Sequence, residues 1–560
     1  MTTQSFNELA SMHRRVEAMK AERTSFIELW RELSDFHLAH RGRFLTTDRN
    51  KGAKRNTKQL NNTSRIAGRT LAAGMMAGIT SPARPWFRLA IPDRDLMEFT
   101  PVKAWLMDVE NIMREIFNRS NTYNSLHNVY AELGVFGTAS MGVFEDFDNV
   151  IRCKPYTIGS YMLALNGKDE VDTWAREYQL TVGQLIKQFG KDNVSSDVLR
   201  RWKNGDTESW VDLCHLVEPN DDRDIMSPLA KDKKFRSMYY ELGQQRGDLK
   251  NKMLRRSGFD TFPLLTPRWD ITGEDIYSVS CPGIDALGDV KGLQIAERKK
   301  YEAIDKHVDP PLQAPASMRN KINRVRPGDI VFHDDVTGKG VRSIYEVSPN
   351  LQYMMADIEK TEQRVSRTFY EDLFLMLANS NRSQITAREV AERHEEKLLM
   401  LGPVLERLHN ELLDPLIDRT FNIALAAGIF PEIPVELQDT ELRVEYISVL
   451  AQAQRLVASA GTEQLAGFVA QLTNIWPEAR HKFNPAQAID DFSAALGTAP
   501  DLVRGDDEYD EIIQAEQQQQ QQAQQQQEAM AAADTMQKMS ATTLSAEETA
   551  LGQLAKEVGG

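Results

Sequence analysis

Two helical runs of nearly equal length, separated by a proline-bounded insert, constrain this chain more than any other feature. GIDALGDVKGLQIAERKKYEAIDKHV (283–308) is 26 residues of helical pattern and stops at Asp309-Pro310-Pro311. At 1.5 Å per residue that run spans ~39 Å. NLQYMMADIEKTEQRVSRTFYEDLF (350–374) is almost as long, with Leu351, Met354, Met355, Ile358, Val365 and Phe369 on one stripe. Between them, in 309–349, DIVFHDD (329–335) and VRSIYEV (341–347) flank VTGKG, a pattern that predicts a hairpin. Two equal helices joined by a β insert can traverse a wall and return. A short polar stretch, ANSNRSQ (378–384), then leads into a very long helical run, 385–428, which Pro403 and Pro415 are expected to kink or segment.

Upstream, 6–38 reads as a helix, with Leu9, Met12, Val16, Met19, Ile27, Leu29, Trp30 and Leu33 near helical spacing. A basic, Asn/Thr-rich loop, 41–69, follows. WFRLAI after Pro82 and Pro85 reads as a strand, and 101–118 as a helix. From 140 to 270 strands cluster: MGVFEDF (141–147), VIRCKPYTI (150–158), VDTWAREYQL (171–180), SWVDLCHLVEP (209–219) and FRSMYYEL (235–242). Two short helices, 181–190 and 197–205, interrupt them. The class is α+β and predominantly helical, because strands cluster instead of alternating with helices. Downstream, 429–440 is a Pro-rich linker, 441–447 a short strand, and 448–473 and 485–496 helical. Beyond about 505 the chain is acidic and then glutamine-rich, too polar to bury a core of its own.

The chain has 560 residues, enough for several domains with real cores. Its three cysteines contain no CxxC, which argues against a zinc site or disulfide scaffold and fits a reducing compartment. The start, MTTQSFNELASMHRR, has no apolar core of a secretory leader, and LAAGMMAGITSPA (71–83) is too short to cross a bilayer. The net charge of −14 is unevenly spread. Residues 501–560 hold twelve acids and three bases, whereas 41–69 hold nine bases against Asp48 alone. That basic loop (Arg41, Arg43, Lys51, Lys54, Arg55 and Lys58 among its cations) either meets phosphates or pairs with acids elsewhere in an assembly.

No catalytic constellation emerges. TGKG (337–340) lacks the upstream glycine and the trailing Ser/Thr of a P-loop: position 333 is His and 340 is Gly. GTASMG (137–142) is one residue too long for a nucleophile elbow and reads as the small-residue start of a strand. His394-Glu395 is followed by Leu398, so HExxH fails. The expectation is a protein that is not an enzyme and has no cofactor or metal.

The order helix, β insert, helix, polar loop, long kinked helix resembles the portal, or head–tail connector, proteins of short-tailed double-stranded DNA phages. DVKGLQ…EAIDKHVDPPLQAP (289–315) is similar to that family's first stem helix running into its clip. ITAREVAERHEEKLLMLGPVLERLHNELLDPLIDR (385–419) is similar to its long wing helix, and AGMMAGITSPARPWF (73–87) and GVFGTASM (134–141) match its texture. The resemblance covers roughly residues 5–450.

The resemblance implies a homo-dodecameric ring at one capsid vertex, through which DNA is packaged and later leaves. It divides the chain into wing (1–282 and 385–440), stem (283–308 and 350–374), clip (309–349), tunnel loop (375–384), crown (441–504) and a flexible tail (505–560). Its implied partners are non-specifically held duplex DNA, the terminase large subunit, a tail adaptor, and the major capsid and scaffolding proteins, with no membrane. The location implied is the virion, and the host cytoplasm during assembly. Candidate tunnel-loop residues are Asn379, Ser380, Asn381, Arg382 and Ser383. Candidate channel-facing stem residues are Lys299, Lys306, Lys360, Arg364 and Arg367, interspersed with Asp357, Glu359 and Glu362, as suits a channel that must not grip DNA. Candidate clip contacts are Arg324, Arg326, Asp334, Asp335 and Lys339. The rival readings are another virion or assembly component, such as a tail or scaffolding protein, and a nucleic-acid-processing enzyme.

Overall fold

The computed structural model describes residues 3–48, 58–93, 96–97, 99–242, 253–308, 312–316, 331–333, 342–343, 351–379, 401–437, 442–447 and scattered residues between 465 and 530. The chain forms two units, Met1–Val457 and Ala458–Gly560. In the second, residues 465–473 are helical. Among the described residues no helix is long and apolar enough to cross a membrane.

In chain order the first unit contains α1 (Thr3–Phe36), α2 (Thr63–Ile79), β1 (Phe87–Ala90), α3 (Thr100–Arg119), α4 (Thr122–Phe136), β2 (Ser140–Asp146), β3 (Val150–Tyr156), β4 (Met162–Leu165) and β5 (Val171–Thr181). Then come α5 (Val182–Phe189), α6 (Ser196–Lys203), β6 (Trp210–Pro219), β7 (Phe235–Glu241), β8 (Met253–Phe259), β9 (Leu264–Leu265) and α7 (Pro282–Val308). Last are β10 (Leu312–Pro315), β11 (Val331–His333), β12 (Arg342–Ser343), α8 (Leu351–Thr368), α9 (Glu371–Asn379), α10 (Asp414–Ala426) and β13 (Arg443–Tyr446).

Helix α1 ties two cores together. Its first half lays Leu9, Met12, Val16 and Met19 against Met162, Ala175, Cys214, Leu216 and Met238 of the five-stranded antiparallel sheet β4-β5-β6-β7-β8. Its second half sends Trp30 and Leu33 into the main core. On that sheet Glu218 is wholly buried and is met by both Arg15 and Arg236. The pairing supplies the charge that a buried carboxylate needs. Helix α5 starts with a capping box, Thr181 with Gln184, which stops β5 and starts the helix within one residue.

Gly137 ends α4 with φ +75°, and a Cβ there would lie 2.8 Å from Ser278. Only glycine fits that turn, so GTASMG is a helix stop followed by a strand that starts at Ser140.

The main core lies between α2, α3, α4, the small sheet β3-β2-β9, and the helical residues 401–426. Pro415 cannot donate to the carbonyl four residues back, that of Glu411. The helix answers by widening to a π turn over His409–Leu413, where the Asp414 N–H donates to the His409 carbonyl. The expected segmentation at Pro415 thus takes the form of a bulge. The turns preceding Pro403 lie outside the described residues.

Four expectations are corrected. The basic stretch is not a loop to residue 69, because α2 begins at Thr63 and carries Arg65 and Arg69. The strands around VTGKG do not pair as a hairpin. The sheet order is β11-β10-β12, with the unforeseen β10 between them, parallel to β11 and antiparallel to β12. The second long run is not one helix to Phe374: α8 ends at Thr368, Tyr370 takes φ +53°, and α9 restarts at Glu371. A left-handed tyrosine costs about 1–3 kcal/mol. The break aims Leu373 and Phe374 into the main core, worth about 1.5–3 kcal/mol each. Gly74 of α2 accommodates the close approach, since a Cβ there would meet Phe374 at 2.3 Å. Finally, β13 is not separate from the preceding core. It pairs antiparallel with β1, Phe87 opposite Tyr446.

His37 is fully buried against Ser64, and burial pushes its imidazole down to about 4. An unfolded imidazole titrates near ~6.5, so below that pH the unfolded chain binds the extra proton and folding weakens as pH falls towards 4. Between pH 7 and 5 this group is expected to remove about 2 kcal/mol. The check is urea denaturation at both pH values for the wild type and His37→Gln. Equal pH slopes in the two proteins would refute it.

Candidate functional site

The two long helices α7 and α8 pack against each other and are fixed at their base by one asparagine. Asn61 Nδ2 donates to Glu297 at 3.2 Å and to Glu362 at 2.6 Å. Gln294 Oε1 accepts from the Leu60 and Asn61 backbone N–H groups at 2.6 and 2.8 Å, and its Nε2 donates to the Asn61 carbonyl at 3.1 Å. Across the pair, Arg364 donates to Asp289 at 3.0 Å. Gln294 and Glu297 continue the buried line Ala286, Val290, Leu293 on α7. Polar residues on an inward stripe are the signal that a sequence reading can use for such a clamp, and it went unused. Asn61 itself carries no such signal.

Beyond Glu297 no residue of α7 is buried, and this portion is about 16 Å long at 1.5 Å per residue. It is not a polar spike. Tyr301 is 54% exposed and Val308 77%, just before it Ile295 is 56%, and on α8 Tyr353 is 76% and Met355 61% exposed. Ile304 adds to the patch. The expected single stripe on α8 is therefore split. Ile358, Val365 and Phe369 are buried, while Met355 faces out.

The candidate stem cations Lys299, Lys306, Lys360, Arg364 and Arg367 are all exposed. Arg364 is tied to Asp289, and the other four have no ion pair among the described residues. Of the tunnel-loop candidates, Asn379 is the last residue of α9, and Ser380, Asn381, Arg382 and Ser383 lie outside the described residues. The clip candidates Arg324, Arg326, Asp334, Asp335 and Lys339 also lie outside them, as do Lys51, Lys54 and Arg55 of the basic loop.

Of the loop cations that are described, two are paired. Arg41 bonds Glu132 at 3.3 Å and also Asn128, and Lys58 bonds Asp35 at 2.7 Å. Arg43 is exposed and lines a recess beside β3 and β5. The stretch thus divides, with part of its charge spent on internal acids and part facing a cavity.

The family model for "Bacteriophage head to tail connecting protein" matches residues 9–503. The chain is 48% identical over 486 residues to a portal protein of Salmonella phage epsilon15, covering 87% of each chain. It is 45% identical over 486 residues to a probable portal protein of Bordetella phage BPP-1, again covering 87% of each. A solved chain from the virion of a native gene transfer agent particle aligns over 82% of this chain and 96% of its own, at 10% identity and a TM-score of 0.35. A TM-score that low establishes no shared fold.

Proposed function

This chain belongs to the bacteriophage head-to-tail connecting protein family, and on that premise we propose that it is the portal of its virion, a ring of twelve copies at one capsid vertex. The observation that carries the ring is the uncovered apolar surface of α7 and α8. Ile295, Tyr301, Ile304, Val308, Tyr353 and Met355 are only partly covered by the described residues of their own chain. Closed cyclic repetition brings the same surfaces of neighbouring copies together and hides them.

The two helices form the stem, with the clip at 309–349 and the tunnel loop, expected over 375–384, cut back to the residues after α9, because the chain is helical to Asn379. The wing comprises 1–282 and the helical run from 385, and it extends to 447 because β13 pairs with β1. The crown and the acidic, glutamine-rich tail follow. Lys299, Lys306, Lys360 and Arg367 face the lumen, where they meet phosphates without base readout. Interspersed acids keep the wall from gripping the duplex. Arg382, the single charge of the tunnel loop, faces the axis and helps retain the packaged genome. The clip presents Arg324, Arg326, Asp334, Asp335 and Lys339 to the terminase large subunit and then to the tail adaptor. Major capsid and scaffolding proteins contact the wing during assembly in the host cytoplasm. Translocation is driven by the motor, and the ring supplies the conduit.

Size-exclusion chromatography with light scattering tests the ring. Twelve chains of 63.5 kDa give a particle of roughly 760 kDa. A protein that stays monomeric or dimeric at micromolar concentration would overturn the reading.

A further inference from the structure

A recess of about 760 Å³ opens between α1, residues 41–46, β3 and β5, away from the stem helices. Six cationic side chains and two carboxylates line it. Both carboxylates are already engaged. Glu177 takes Lys20 at 3.0 Å, and Glu132 takes Arg41 at 3.3 Å and the Ile158 N–H at 2.9 Å. Arg23 donates to the Gly159 carbonyl at 2.7 Å. That leaves Arg43, Lys154 and Arg176 with no carboxylate partner among the described residues.

Arg43 and Lys154 are exposed, and Arg176 is partly buried. Arg176 lies 3.9 Å from the centroid of the Tyr178 ring and 5.0 Å from that of Tyr156, and its Nε is buried without a hydrogen-bond partner. Lys154 Nζ is 5.6 Å from the Tyr156 centroid. Burial, followed by the charges of Arg176 and Arg152, pushes the Lys154 ammonium down to about 8. Like charges set side by side against aromatic rings repel one another, and an anion between them relieves that repulsion. Phe44, Tyr156 and Trp210 add aromatic wall to the same recess. Its volume falls in the ~300–1,000 Å³ range that encloses a small ligand.

We propose that this recess is a nucleotide-phosphate site, with Arg43, Lys154 and Arg176 holding the phosphate and the aromatic rings taking the base. A guanidinium fork and an ammonium suit phosphate oxygens, and rings beside them suit stacking. The phosphate comes either from a free nucleotide or from an unpaired strand end, and the chemistry at the wall is the same. The site does not depend on ring formation, so a failed ring and a failed site are separate results.

The test is binding of two fluorescent probes, a mononucleotide and a 5′-phosphorylated single-stranded oligonucleotide, to the full-length protein by anisotropy. Inorganic phosphate and an acidic peptide serve as competitors. Binding of either probe, weakened at least tenfold by Arg176→Gln and by Lys154→Gln but unchanged by Lys168→Gln on an exposed loop, supports the site. Which probe binds identifies the source. Arg43→Gln serves as a further variant, because its exposed side chain supports no packing and its loss leaves the fold intact. Affinity unchanged in all three recess variants overturns the proposal. So does binding of the acidic peptide in place of both nucleotide probes.

Discussion

Replacing Arg268 by alanine is expected to lower the stability of the main unit by about 3–5 kcal/mol, the usual result of stripping one partner from a buried ion pair. Arg268 is 2% exposed. Its Nε and Nη2 reach Glu411 Oε1 at 3.1 and 2.7 Å, while Nη1 and Nη2 donate to the Asp275 and Asp169 carbonyls at 3.2 and 3.0 Å. Its own N–H donates to Glu411 Oε2 at 2.8 Å. One guanidinium thus joins the β4–β5 turn, the segment before α7, and the π turn that Pro415 creates around Glu411. Alanine removes the guanidinium donors of Glu411 and of two carbonyls, leaves Glu411 only the N–H of residue 268 and the more distant Arg407, and opens a void in place of the side chain. Arg268→Lys keeps the charge but cannot donate in four directions, so it should recover less than half of the loss. Urea unfolding measures both variants. A loss below about 1 kcal/mol for the alanine variant would show that the knot does not hold these segments together.

The double substitution Ile295→Asp with Ile304→Asp should abolish the ring and leave the subunit folded. Both side chains are partly exposed in the single chain, Ile295 56% and Ile304 37%, and neither belongs to a core cluster, so the fold loses little. In the ring each would be covered by a neighbour. The surface the two still expose amounts to about one isoleucine, so covering it is worth about 1.5–3 kcal/mol per interface, before the penalty for two unpaired carboxylates. At 1.4 kcal/mol per tenfold, association weakens at least ~10-fold at every interface of the ring, and the loss repeats around it. Light scattering should then report single chains with an unchanged circular dichroism spectrum. A double variant that still assembles into the full particle would show that the apolar face of α7 is not where copies meet.

Much of this protein is readable without coordinates. The clustered strands between 140 and 241, the start and stop of α5 and α6, and the length of α7 all follow from local signals. Alternating burial, a Thr–Gln capping box and a pair of prolines act within a few residues and do not depend on distant contacts. The order of the elements was also enough to suggest the family that the comparisons establish. Helix α4, absent from the sequence-based expectations, does carry a local signal: Leu126, Val129, Tyr130 and Leu133 recur at helical spacing.

What failed involves partners far apart in sequence. Strand β10 is four residues ending in a proline, and nothing local says that it separates two better-looking strands. Tyr370 breaks a good helical pattern because Gly74, nearly three hundred residues away, leaves room for Phe374. Strand β13 looked like the start of a new region until its edge met β1. Lys154 and Arg176 are ordinary strand cations in sequence, and line a recess whose acids are already engaged only when β3, β5 and α1 close around them. Sequence by itself determined where most helices and strands form, because that depends on short-range periodicity, caps and breakers, and its resemblance to portal strings suggested the family. Only the tertiary structure decided strand order, the break in the second stem helix and which charges are left unpaired, because each depends on packing between residues that the chain places far apart.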